Sequence, residues 1–478
     1  MDSLPPEIIS EIVEAANDSS PKLSAYASIS KTWQDAVERR TFRSLEFNMT
    51  EIDTFGLLFV STNVCRARFI TRILVRFSDR SDEDFTANVA RSVSKLLCIL
   101  ADMAKRASDL PPVELYFLVD DNSNDGSLDL VLPDDPSSAP QVSSFVFDPR
   151  ETLCDFRRYS SVFKLLPMFP MMKKVRLMFA DYLRDAPEKR REERQEFGDS
   201  FCNFDLASIQ ALDLFMYHRS PSDEDERPID LIPREGIQFD AFVRIFHHMD
   251  KFSSVKVIHL RGPITIGVDI FSHLPNLPAL SDFHLSFTAC TADGRWFFTR
   301  DDSLFPVKDI ESDDEDDVSI HNYSIYLSEE EDTRNYFRTL PNPETIPPFL
   351  LAASQFVGKS PKLCKFILCY CEFEGGGWTP KWNEEGMERY FELWFVRQGT
   401  PRTVAGWPKV IADEKYMKWN RLYWRVGKHW RPDDEVVGAW NKATGNDTKV
   451  FFLNEECWDP MRPGFLEYLG DLEDELVK

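Results

Sequence analysis

The sequence predicts an α/β chain in three parts: a short N-terminal helical module, a long irregular array of helix, turn and strand units, and a tryptophan-rich C-terminal cap. Three observations predict it. Residues 1–47 carry apolar stripes at helical spacing. Apolar segments with residue-by-residue alternation then recur through residues 48–310 and again in 336–377, on either side of an acidic insert, 311–335. Of 11 tryptophans, all but Trp33 and Trp296 lie in residues 378–478.

The helical module comes first. Leu4 precedes Pro5 and Pro6, and proline's fixed φ and missing N–H both suit a first helical turn. Glu7 then sits near the positive end of the helix. Leu4, Ile8, Ile9, Ile12 and Val13 recur at three-to-four-residue spacing, with Glu7, Glu11 and Glu14 opposite. Asn17–Ser20 breaks the pattern, Ser20-Pro21 starts a second helix, and Leu23, Tyr26, Ile29, Trp33 and Val37 make a second stripe. So small a unit cannot bury enough apolar surface to stand alone, so its faces need a partner.

The run Leu-Pro-x-Glu-Ile-Ile-x-x-Ile, a polar loop, a leucine and Ser28-Ile29-Ser30-Lys31-Thr32-Trp33 resembles the F-box. Lys22-Leu23 stands in place of the usual Asp-Leu, and Ser30 where a cysteine is common; no apolar anchor is lost. The resemblance implies a docking surface for the Skp-type adaptor of a cullin-RING ubiquitin ligase, with Leu4, Pro5, Ile8, Ile9, Ile12, Leu23, Ile29 and Trp33 as adaptor-binding residues. The alternative is a hairpin packed on the domain behind it.

Beyond the module, strand candidates are Ile73–Phe77, Val113–Val119, Val175–Leu177, Leu212–Leu214, Ile258–Leu260 and Phe283–Leu285. Several follow a helical stretch and a Pro or Ser turn, as in Val162–Phe169 before Val175. After the acidic insert the unit returns: Pro347-Pro348, the helical Phe349–Val357, Ser360-Pro361-Lys362-Leu363 and the strand Cys364–Cys371. Helix, turn and a strand centred on apolar-x-Leu resembles a leucine-rich repeat of the kind found in fungal F-box proteins, here irregular in spacing and without the asparagine ladder. An ordinary α/β domain is the alternative. Asp120–Pro140 reads as a polar surface loop, and Asp185–Phe197 as a charge-dense, solvated helix. Past Gly375-Gly376-Gly377, which read as a hinge, Tyr390–Val396, Arg421–Val426 and Val450–Leu453 read as strands and Asp433–Ala443 as a helix.

A formal charge of -24 and a pI near 4.8 argue against nucleic acid or an anionic membrane surface as the main partner. No opening segment reads as a secretory leader and no apolar run has membrane-spanning length. With nine scattered cysteines, this predicts a protein of the reducing cytoplasm or nucleus. Cys364, Cys369 and Cys371 lack the paired spacing of a zinc site and read as core thiols, so no metal or cofactor is expected. No nucleophile elbow or phosphate loop is present, and acidic pairs such as Asp120-Asp121 and Glu384-Glu385 are expected by chance among 80 acidic residues. The tryptophans would build the cap, with Trp378, Trp382 and Trp407 as candidate substrate-binding residues and Trp394 and Trp424 inside. The sequence thus reads as a non-enzymatic substrate receptor that bridges adaptor and protein substrate. The alternatives are a ligase-independent solenoid scaffold and, more remotely, a carbohydrate-acting enzyme, which would need two carboxylates in an aromatic cleft.

Overall fold

The computed structural model describes residues 4–16, 23–62, 64–78, 85–107, 109–119, 137–148, 162–181, 187–202, 207–218, 224, 226–233, 239–247, 253–301, 338–371, 391–400, 416–426 and 430–452. It shows a mixed α/β protein, mostly of parallel strands, divided into two compact units. The first comprises Met1–Ala180 and Asn203–Leu212, the second Asp181–Cys202 and Asp213–Lys478.

The first unit opens with helices α1 (Pro6–Ala15), α2 (Leu23–Ala27) and α3 (Lys31–Arg43). Strands β1 (Ser44–Asn48), β2 (Arg72–Phe77), β3 (Val113–Val119), β4 (Val142–Asp148) and β5 (Lys174–Asp181) follow, each parallel to the next in sequence. Residues 44–47, read from the sequence as the end of the helical module, belong to the first strand, because Leu45 and Phe47 alternate with Ser44 and Glu46. One face of the strands is apolar at every second position. Phe77, Phe117, Phe145 and Phe169 form a continuous ring-to-ring ladder with centroids 5.1 to 5.3 Å apart. Helix α4 (Phe85–Arg106) buries Val89, Val93, Leu96, Leu97, Leu100 and Met103 along one stripe.

In the second unit, strands β6 (Ala211–His218), β7 (Val257–Arg261), β8 (Asp282–Phe287) and β11 (Lys365–Tyr370) are neighbours in that order. Between β8 and β11 in sequence, β9 (Phe298–Arg300) and β10 (Arg338–Pro341) make a separate antiparallel pair. The direction then reverses: β12 (Phe391–Val396) is antiparallel to β11 and to β13 (Arg421–Val426), and β14 (Lys449–Phe452) is parallel to β13. Phe271, Phe283, Phe349, Phe356 and Phe366 pack together in the core, and Trp440 joins them through Phe366.

Three helices shape this unit. Helix α6 (Ile346–Lys359) starts on a proline pair, and α7 (Asp434–Thr444) is capped by the Asp433 carboxylate, which accepts from Val436 N–H at 2.8 Å. Helix α5 (Pro187–Cys202) corrects the expectation of a solvated helix. It buries Arg190, Glu193, Arg194, Phe197 and Phe201, and Arg194 is matched by an acid inside the fold. Arg194 donates through Nε to Asp240 Oδ1 at 3.0 Å, forms a second, shorter bond to Asp240 Oδ2, and reaches Thr265 O at 2.9 Å. Its Nη1 is 3.2 Å from His218 Nε2. The acidic insert 311–335 lies outside the described residues, as do Asp120-Asp121 and Glu384-Glu385.

Candidate functional site

The N-terminal hairpin divides its apolar side chains between two faces. On α1, Ile9 and Val13 are each 1% exposed and pack with Trp33, Ala36 and Val37 of α3. Tyr26 of α2 stacks on Trp33, ring centres 5.6 Å apart and planes at 20°, with Leu23 and Ala27 beside them. The hairpin therefore has a small core of its own. Leu4, Ile8 and Ile12 occupy the neighbouring sector of α1 and point outward at 38%, 40% and 40% exposure. Ile29, before the α3 cap, is exposed to the same degree. Four large aliphatic groups left exposed in so short a module, three of them at helical spacing along α1, are the kind of surface that marks an interaction site.

Polar groups hold the hairpin in this shape. Pro5 O accepts from Ile9 N–H at 3.1 Å to start α1, and the Ser30 hydroxyl accepts from Trp33 N–H at 3.5 Å at the start of α3. Arg40 on α3 donates to the carbonyl of Val13, joining α3 to α1. Glu38 accepts from Gln34 at 2.8 Å and from Arg66 at 2.7 Å, which ties α3 to the residues before β2. Burial opposes ionisation of Glu38, but the Arg66 and Gln34 contacts outweigh it and hold the carboxyl below its ordinary range.

Of the eight adaptor-binding residues expected from the sequence, Leu4, Pro5, Ile8, Ile12 and Ile29 lie on the exposed surface, Leu23 is half-buried against the hairpin core, and Ile9 and Trp33 belong to that core. The separation follows from helical geometry: Ile8 and Ile9 are one residue apart and so point about 100° apart around α1. The sequence reading passed over Leu57 and Leu58, exposed at 67% and 46%. They belong to the turn whose Phe59 packs edge-on against Phe42 of α3. The apolar run Phe55–Val60 was the available signal.

Trp378, Trp382 and Trp407 lie outside the described residues. Trp394 and Trp424 are buried on their strands and Trp440 on its helix. Cys369 packs beside Ile367 and Trp394, its thiol 3.3 Å from His284 Nε2 and 3.2 Å from the Ser286 hydroxyl. At the other end of β8, burial alone would raise the Asp282 pKa, but Lys365 at 3.1 Å and His259 at 3.3 Å outweigh it and hold the carboxyl far below its ordinary range. Among the described residues there is no cluster of three metal-binding side chains and no helix long and apolar enough to cross a membrane. The sequence matches no family model and no curated protein.

Proposed function

We propose that this chain is the substrate-recognition subunit of a Skp-cullin-F-box type ubiquitin ligase, binding the adaptor through its N-terminal hairpin and a protein substrate through the remainder. One observation carries the reading. The hairpin satisfies its own core with Ile9, Val13, Trp33, Ala36 and Val37 and leaves Leu4, Ile8, Ile12 and Ile29 outside it. A hairpin that served only to close off the domain behind it would turn that second set inward. The order of the strands supports the finer architecture. In the first unit each strand lies beside the next in sequence, as an irregular leucine-rich solenoid requires. The chain's contribution to ubiquitin transfer is proximity: holding a target lysine near a charged conjugating enzyme raises effective concentration without bond chemistry in this chain.

The test is co-purification with a Skp-type adaptor. Wild type is expected to capture it, and Ile8→Asp/Ile12→Asp to lose capture with an unchanged circular dichroism spectrum and melting temperature. Failure of wild type to bind, or full binding by the double variant, would hand the lead to a ligase-independent scaffold.

A further inference from the structure

Arginines gather where α3 meets the residues before β2. Residues 39–43 and 64–72 hold six arginines and no aspartate or glutamate, in a chain whose acids outnumber its lysines and arginines by 80 to 56. The fold joins the two segments: Thr71 donates to the carbonyl of Arg43, the last residue of α3, from its N–H at 2.9 Å and from its hydroxyl at 3.1 Å. Three of the six serve the fold. Arg40 donates to the carbonyl of Val13, Arg66 donates to Glu38 at 2.7 Å, and Arg72 lies over the Tyr116 ring, 4.2 Å from its centre.

The other three, Arg39, Arg43 and Arg68, are exposed, and none has a carboxylate partner among the described residues. The acids of α3 are engaged elsewhere. Asp35 stands four residues before Arg39, the spacing of a helical ion pair, but binds Lys31 at 3.1 Å; Glu38 is taken by Gln34 and Arg66. Arg39 and Arg68 come to one place. Their Cζ atoms lie 6.0 and 4.8 Å from the centre of the same ring, that of Phe69, which is itself buried. Arg43 follows Arg39 by one turn of α3. A guanidinium stacked on a ring keeps its N–H edge for a carboxylate, and two like charges on one ring gain from an anion held between them.

A short acidic segment fits this surface. The chain as a whole carries -24, so a long polyanion such as nucleic acid would meet repulsion beyond the arginines, whereas a few carboxylates would meet the arginines alone. Arginine also favours the planar, bidentate pairing that a carboxylate offers. We propose that Arg39, Arg43 and Arg68 form a docking surface for a carboxylate-rich segment of a partner protein, centred on the two guanidiniums at Phe69. That the partner is a ligase substrate rests on the adaptor reading; the surface does not.

The experiment uses the full chain and fluorescence anisotropy. The probes are a labelled Gly-Asp-Glu-Glu-Asp-Gly peptide, its Asn/Gln counterpart and a short single-stranded DNA oligonucleotide. The acidic peptide is expected to bind saturably and the amide peptide not at all, with affinity falling several-fold as salt rises from about 50 to about 300 mM. Arg39→Gln/Arg68→Gln should weaken binding about tenfold or more with an unchanged circular dichroism spectrum. Lys359→Gln/Lys362→Gln, which removes the same charge from exposed positions of the second unit, should leave binding unchanged, as should Ile8→Asp/Ile12→Asp. Equal binding of the amide peptide, undiminished binding by the folded arginine variant, or an equal loss in the lysine variant would each overturn the proposal. Tighter binding of the oligonucleotide than of the peptide would overturn the assignment to a protein segment. A concentration-dependent dimer that the arginine variant abolishes would overturn the assignment to a partner and give the surface to acidic runs of a second copy.

Discussion

Arg194 and Arg421 are both buried guanidiniums of the second unit, 4% and 1% exposed, and their surroundings are opposite. Arg194 faces both oxygens of Asp240, a backbone carbonyl and a histidine; Arg421 donates to two backbone carbonyls and interacts with the Tyr423 side chain, all of them neutral acceptors. A charge that serves the fold brings its counter-charge with it from elsewhere in the chain. A buried charge held by neutral acceptors alone keeps more of its desolvation cost.

The comparison can be broken most sharply at the matched site. Arg194→Met leaves Asp240 ionised and buried, and should cost about 3–5 kcal/mol in urea unfolding. Arg421→Met, read by the same unfolding curve, should be neutral or stabilising by about 1–4 kcal/mol, because no acid among the described residues is stranded. Equal losses in the two variants would dissolve the distinction.

The histidine beside Arg194 sharpens the comparison through pH. Burial, followed by the charges of Arg194 and Arg190, holds the His218 pKa well below its ordinary value, and Thr265 N–H donates to its Nδ1 at 2.6 Å, so that nitrogen carries no proton. Burial, followed by the neighbouring cations, does the same to His284. A histidine held neutral in the fold takes up its proton only on unfolding. The stability it contributes is whole above the unfolded value of about 6.5 and falls as pH drops through it, by at most about 1.4 kcal/mol per pH unit for each group. His218→Gln should therefore flatten the loss of melting temperature between pH 7 and pH 5.

The same contrast between inside and outside runs through the hairpin. Trp33→Ala removes the centre of its small core and should cost about 3–5 kcal/mol. Ile8→Asp on the neighbouring sector of α1 should change stability by less than about 0.5 kcal/mol while abolishing adaptor capture. Equal destabilisation by the two would place Ile8 in the core.

Much of the strand pattern was legible, because half-buried strands write their alternation into the sequence: β3 falls on the expected Val113–Val119 and β13 on Arg421–Val426. Helix α4 was missed, although Val89, Val93, Leu96, Leu97 and Leu100 keep helical spacing. So was β4, which follows the turn-rich Asp120–Pro140. The error at α5 has a different origin. Its spacing of opposite charges is that of a solvated helix, and only the fold brings in Asp240, 46 residues away from Arg194. At the candidate docking site, spacing revealed an apolar face but not its division between Ile9 and Ile8. That division depends on where Trp33 lands.

The parallel ladder of the first unit also bears on how the chain is made. Each of its strands from β2 to β5 pairs with the strand that precedes it in sequence, so no strand must wait for a distant partner. Synthesis at about 5–20 residues per second delivers them one at a time onto an edge already formed. The unit can grow on the ribosome by nearest-neighbour addition, starting from the helical hairpin. A nascent chain halted after β3 should already protect the β2 and β3 amides from hydrogen exchange.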